Sequence, residues 1–247
     1  MGDYFQNMLN FFKQSEAENR MLVLAEYYNK PGYEGFSGKL MLSPDEGQRK
    51  ILAKQYGINH DILRAMLDYT RYPEANAVAM ELKKLKMKIK QLQILDFGCL
   101  ISDYGIYFAR LGAKVMIYDK KSATNFAEFR FKKERLSVKT ANIPYDYLSL
   151  TNGKDLVIFG EVFEHLNNPL LAIEACLQNS VKFVFTSCYP FGDSEYLSSY
   201  GHKKSAAVLQ PVCRKLLRQN YIEKILFKTR RLWINYSFYK PNQRKSL

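Results

Sequence analysis

Ile94-Leu95-Asp96-Phe97-Gly98-Cys99-Leu100-Ile101-Ser102-Asp103-Tyr104-Gly105 reads as an apolar strand, a sharp turn at glycine and the opening of a helix. A strand-turn-helix of this kind aims backbone N–H groups, and the positive end of the helix, at a bound ligand. Glycine is needed where a ligand meets the backbone. Gly98 and Gly105 are present, but Leu100 and Ser102 stand where a Gly-x-Gly-x-Gly loop would carry its second and third glycines. Asp119 ends the following apolar run, 21 residues after Gly98, where an acidic side chain can accept hydrogen bonds from ribose hydroxyls. A side chain at Leu100 can either obstruct the ligand's path or point away from it.

Outward from this turn, short apolar runs alternate with amphipathic segments, the pattern of βαβ units around a sheet buried on both faces. Strands are expected over Ile94–Phe97, Lys114–Tyr118, near Val138, in "KDLVIFG" and in "VKFVFTSCY". Helices are expected over Tyr104–Leu111, Ala123–Arg135 and "PLLAIEACLQNS". "AAVLQPVCRKLLRQN" reads as a helix that Pro211 must kink or divide, and "YIEKILFK" with "RRLWINYSFYK" as two paired strands. Up to Gln91 the periodicity is helical, so the chain divides into residues 1–91, a helical cap on the substrate side, and residues 92–247. Ser43-Pro44-Asp45-Glu46 is a helix start with a capping box, and Asn59 can cap a helix from His60. Val78, Leu82, Leu85 and Ile89 form one apolar stripe beside the lysines of 83–90, although "LKMKIKQLQ" also fits a strand.

Across the 247 residues, 37 Lys and Arg against 24 Asp and Glu leave a net charge of +13, which suits an anionic partner or simply a lysine-rich solvated surface. Cys99, Cys176, Cys188 and Cys213 show no paired spacing, which argues against a zinc site or a disulfide framework and fits a reducing cytoplasm. No stretch approaches the roughly 18 apolar residues of a membrane span, so a soluble protein is expected.

The order of these segments resembles the class I S-adenosylmethionine-dependent methyltransferases from about Leu92 to Tyr239. "ILDFGCLISDYGIYFARLGAKVMIYDK" is similar to their first motif and ribose-binding acid, "ANIPYDY" to their adenine-side segment and "DLVIFGEVFEHLNNP" to their fourth-strand motif. The resemblance implies an α/β fold, a Rossmann-like, mostly parallel sheet with an antiparallel C-terminal strand and an N-terminal helical cap. It also implies S-adenosylmethionine as cofactor and S-adenosylhomocysteine as product. By carry-over, Asp96, Gly98 and Cys99 surround the methionine end, Asp119 holds the ribose, Asn142 and Ile143 face the adenine, and Glu161 lies beside the sulfonium.

Within "EVFEHL", Glu161, Glu164 and His165 fall at i, i+3 and i+4, and His202 could join them as a divalent-ion site. That form resembles metal-dependent methyltransferases of the 2'-hydroxyl of small RNAs. A Glu-His-Leu segment is equally common in class I enzymes that use no metal, and none is expected here. "GHKKSAAVLQPVCRKLLRQNYIEKILF" resembles the histidine-then-helix segment near the acceptor pocket of small-molecule methyltransferases. His165 and His202 are therefore the candidate general bases, and Tyr33, His202 and Lys203 the candidate acceptor contacts. The expected activity is methyl transfer to an oxygen of a small, anionic or saccharide-like acceptor. Nucleic acid is the runner-up partner, and a non-catalytic scaffold is the third reading.

Overall fold

The computed structural model describes residues 19–29, 46–68, 71–188, 204–228 and 235–242. The helical stretch 19–27 (α1) precedes α2 (Glu46–Tyr56), α3 (His60–Asp68) and α4 (Tyr72–Lys84). Then come β1 (Gln93–Phe97), α5 (Asp103–Arg110), β2 (Lys114–Asp119), α6 (Lys121–Lys133), β3 (Lys139–Asn142), α7 (Tyr147–Thr151) and β4 (Leu156–Gly160). α8 (Pro169–Gln178), β5 (Phe183–Cys188), α9 (Lys204–Asn220), β6 (Tyr221–Lys228) and β7 (Asn235–Pro241) follow.

The strands form one seven-stranded sheet in the order β3-β2-β1-β4-β5-β7-β6. β1 to β5 pair in parallel, and β7 lies antiparallel to both β5 and β6. This is the Rossmann-like architecture expected from the sequence. Alternation along each strand sends side chains to opposite faces. Ile94, Ile117, Ile158, Phe185 and Phe238 form one cluster with residues of α4, α5 and α6. Leu95, Phe97, Val157, Phe159, Val184 and Tyr239 form the other with residues of α7, α8 and α9.

Caps fix several helix starts. Asn59 accepts the Asp61 and Ile62 N–H groups at 2.9 and 3.1 Å, as its sequence position predicts. Asn168 does the same for Leu170 ahead of Pro169, and Asp146 for Ser149 at 2.8 Å. α9 runs through Pro211 without division. The lysine run departs from expectation, because the helix ends at Lys84, Lys86 takes φ 58° and Met87 N–H returns to the Leu82 carbonyl. Leu85 is consequently exposed, and Ile89 reaches the core from a short 3-10 turn instead of from the helix stripe.

A third cluster holds the N-terminal helices together: Met21, Leu24, Ala53, Ile62, Leu63 and Met66 pack with Ile101 and Phe126 of the sheet domain. α4 behaves differently. Ala75, Val78, Ala79 and Leu82 are buried in the sheet's own core, so the boundary expected at residues 91 and 92 falls between two elements that share one cluster. The expected helix start at Ser43 lies outside the described residues. No helix among the described residues is long and apolar enough to cross a membrane.

Candidate functional site

From β1 the chain runs outward to β2 and β3, then returns to place β4 on the other side of β1. Above this reversal the carboxyl ends of two neighbouring strands diverge, which is where open α/β sheets bind ligands. Phe97 pairs with Phe159 at that rim, so Gly98 and Gly160 are the first residues past it. A Cβ on Gly98 would overlap the Val162 side chain, and one on Gly160 would overlap the Tyr104 ring. Both glycines are therefore required by packing.

The loop that lacks two glycines nevertheless has their backbone. Gly98, Leu100 and Ser102 take φ values of 70°, 46° and 56°, all left-handed. That conformation is disfavoured for leucine and serine, and it persists only where surrounding contacts fix it. Those contacts are visible. Asp96 accepts the Ser102 hydroxyl at 2.7 Å and the Gly105 N–H at 3.0 Å, Asp119 accepts the Leu100 N–H at 2.8 Å, and Arg130 donates to the Ile101 carbonyl. The Leu100 side chain packs against the N-terminal cluster, so of the two possibilities open in the sequence it takes the one directed to the cap.

Asp96 lies buried under the loop and braces it. Burial pushes its carboxyl up to about 7, against the hydrogen bonds from Ser102 and Gly105. Cys99 is also buried, and burial raises its thiol, so this residue offers the rim its backbone. Asp119 sits at the end of β2 with one carboxylate oxygen on Leu100 N–H and the other on Lys120 N–H. Each oxygen keeps a second lone pair for a further donor. Asn142 ends β3 beside Asp119, where its amide oxygen accepts from Thr124. Ile143, Tyr145 and Leu148, which follow it in the chain, are all exposed.

At the end of β4, Glu161 takes φ 48° and its N–H is held by the Ser187 carbonyl and hydroxyl. Its carboxylate binds Arg71 at 2.8 Å. Arg71 precedes α4, stands 3.9 Å from Glu74 and donates to the Tyr104 hydroxyl at 3.4 Å, while Tyr104 itself donates to Glu74. Sequence reasoning missed Arg71, Glu74 and Tyr104. Arg71 and Glu161 are 90 positions apart, and no local spacing announces such a pair.

The residues of "EVFEHL" do not converge. Glu161 is committed to Arg71, Glu164 is buried, and His165 is exposed on the 3-10 turn Phe163–His165. Among the described residues no group of three or more His, Cys, Asp or Glu side chains could hold a metal ion. Tyr33, His202 and Lys203 lie outside the described residues.

No family model matches the sequence, and neither does any curated protein. Solved structures do match. The chain is similar to the magnesium protoporphyrin IX methyltransferase ChlM of Synechocystis PCC 6803, solved with bound SAH, at 15% identity over 90% of this chain and 99% of that one, with a TM-score of 0.53. It is similar to a protein of Pyrococcus horikoshii OT3 at 14% identity, over 76% of this chain and 99% of that one, with a TM-score of 0.50. EvdMO1 gives 14% identity and a TM-score of 0.50 over 68% of this chain, which spans only 41% of that protein. Sheet order, the loop after β1 and these likenesses agree that the chain has the class I S-adenosylmethionine-dependent methyltransferase fold.

Proposed function

We propose that the chain binds S-adenosylmethionine at the rim of β1, β2 and β4 and transfers its methyl group to an oxygen of a small acceptor. The observation that carries this reading is the loop after β1, whose left-handed turns at 98, 100 and 102 persist although two of the residues are not glycine. A turn serving only to connect β1 to α5 would have no reason to keep them.

The remaining residues fit the donor. Asp119 has lone pairs left for ribose hydroxyls, the exposed Ile143 and Tyr145 suit an adenine face, and the Arg71–Glu161 pair closes the end of β4, where the amino-acid end of the donor would lie. When bound, the donor supplies an electrophilic methyl on a sulfonium. The chain's own task is then positioning, which can contribute roughly 7–11 kcal/mol to a two-reactant step. His165, exposed just past β4, is the described candidate to take a hydroxyl proton, with His202 the second and Tyr33 and Lys203 the acceptor contacts proposed on resemblance alone. A carboxylate or phosphate acceptor needs no base, and the net charge of +13 favours an anionic one. ChlM, a porphyrin methyltransferase by its description, is consistent with a small-molecule acceptor.

Titration calorimetry with S-adenosylmethionine and S-adenosylhomocysteine tests this on wild type and Asp119→Ala. Binding by the wild type that falls at least tenfold in the variant is the expected result, on the order of one ribose hydrogen-bond pair to a charged group. A folded wild type that binds neither compound overturns the reading and leaves the scaffold function in its place.

A further inference from the structure

The loop after β1 is fastened from two sides. On the sheet side, Asp96 and Asp119 hold Ser102, Gly105 and Leu100 by hydrogen bonds. On the cap side, Leu100 packs against the N-terminal cluster and Ile101 is buried within it. A charged link runs in parallel: Arg20 of α1 holds the Ala65 and Met66 carbonyls at 3.0 Å and the Asp103 carboxylate at 3.2 Å. Arg130 of α6 takes the other Asp103 oxygen at 2.8 Å. Burial would raise the Asp103 carboxyl, but these two guanidinium groups hold it below the ordinary range. One short segment, Leu100 to Asp103, thus carries an apolar and an ionic attachment to helices that contribute no strand to the sheet.

Glycine at position 100 would reach the left-handed region freely, yet it would give the cap nothing to grip. We propose that Leu100 is a positioning residue through which the N-terminal helices hold the donor loop in its binding shape, so that donor affinity depends on packing in α1 and α3. The proposal rests on the reading that this loop binds S-adenosylmethionine and S-adenosylhomocysteine. Freedom of the backbone and attachment to the cap make opposite demands at this position. If relief of the left-handed leucine dominates, Leu100→Gly improves binding. If the attachment dominates, the same change loosens the loop and weakens it, since the loop must then be ordered at the moment of binding.

The test is titration of the full chain with S-adenosylhomocysteine, with folding checked by circular dichroism. Leu100→Gly is expected to bind about fivefold to tenfold more weakly, and Leu100→Met to stay within about twofold because an apolar side chain is kept. Leu24→Ala, in the cap and off the loop, is expected to weaken binding severalfold in the wild-type background and much less when combined with Leu100→Gly. Leu24→Val replaces it if the alanine variant does not fold. Tighter or unchanged binding by Leu100→Gly overturns the proposal, as does an equal effect of the Leu24 change in both backgrounds. Absence of binding by folded wild type overturns the donor reading itself, a distinct outcome.

Discussion

A carboxyl buried beside two hydrogen-bond donors, with no cation in direct contact, gives up its proton late. Asp96 is such a group, pushed to about 7 by burial. In the unfolded chain it titrates near 3.9, so between roughly pH 4 and pH 7 the folded form keeps a proton that the unfolded form has released. Its contribution to stability is complete below that window and lost as pH rises through it. Denaturant unfolding should show Asp96→Asn flattening the decline between pH 4 and 7 by an amount on the order of 3 kcal/mol. An unchanged profile would place the titration elsewhere. The motif that contains Asp96 was legible, because apolar residues, an acid and a glycine at a strand end constrain one another. What Leu100 does was not, since the direction of one side chain in a left-handed turn depends on helices distant in sequence, from Met66 back to Met21.

Among the elements, the start of α4 and the end of β4 are joined by charge. Arg71 and Glu161 are both largely buried there, 2.8 Å apart. Removing one partner of such a pair leaves an uncompensated charge, which typically costs about 3–5 kcal/mol, whereas replacing both costs much less. Arg71→Met alone should therefore lower stability by about 3 kcal/mol in urea unfolding, and Arg71→Met with Glu161→Gln should recover most of it. Equal losses in the single and double variants would contradict the pairing. Most helix and strand ends from Leu92 onward could be read to within two residues, because alternating apolar runs and caps are local signals, but the short α7 was not expected and the last strand was read as starting well before Asn235. The end of α4 could not be read, as the lysines continue its pattern and only the left-handed Lys86 stops it.

At the scale of the molecule, two apolar clusters sandwich the sheet and a third joins the cap to it through Ile101 and Phe126. Leu82 in the first and Leu63 in the third are both fully buried. Each Leu→Ala change should cost about 2–5 kcal/mol, and because the loop after β1 belongs to both regions, both should move the same transition. Two separated transitions in the Leu63→Ala protein would mean that cap and sheet unfold independently. The parallel core of the sheet was readable from the order of its segments, whereas α4's place in that core was not, because an apolar stripe does not say which surface it will meet.

β7 lies between β5 and β6, so β6 is joined to the sheet through a strand made after it. During synthesis β6 leaves the ribosome with no ladder to enter, and β5 keeps an open edge, until residues 235–241 follow. A chain halted after Lys228 would present β6 unpaired and β5 with one edge open, the kind of strand surface on which chaperones act and aggregates grow.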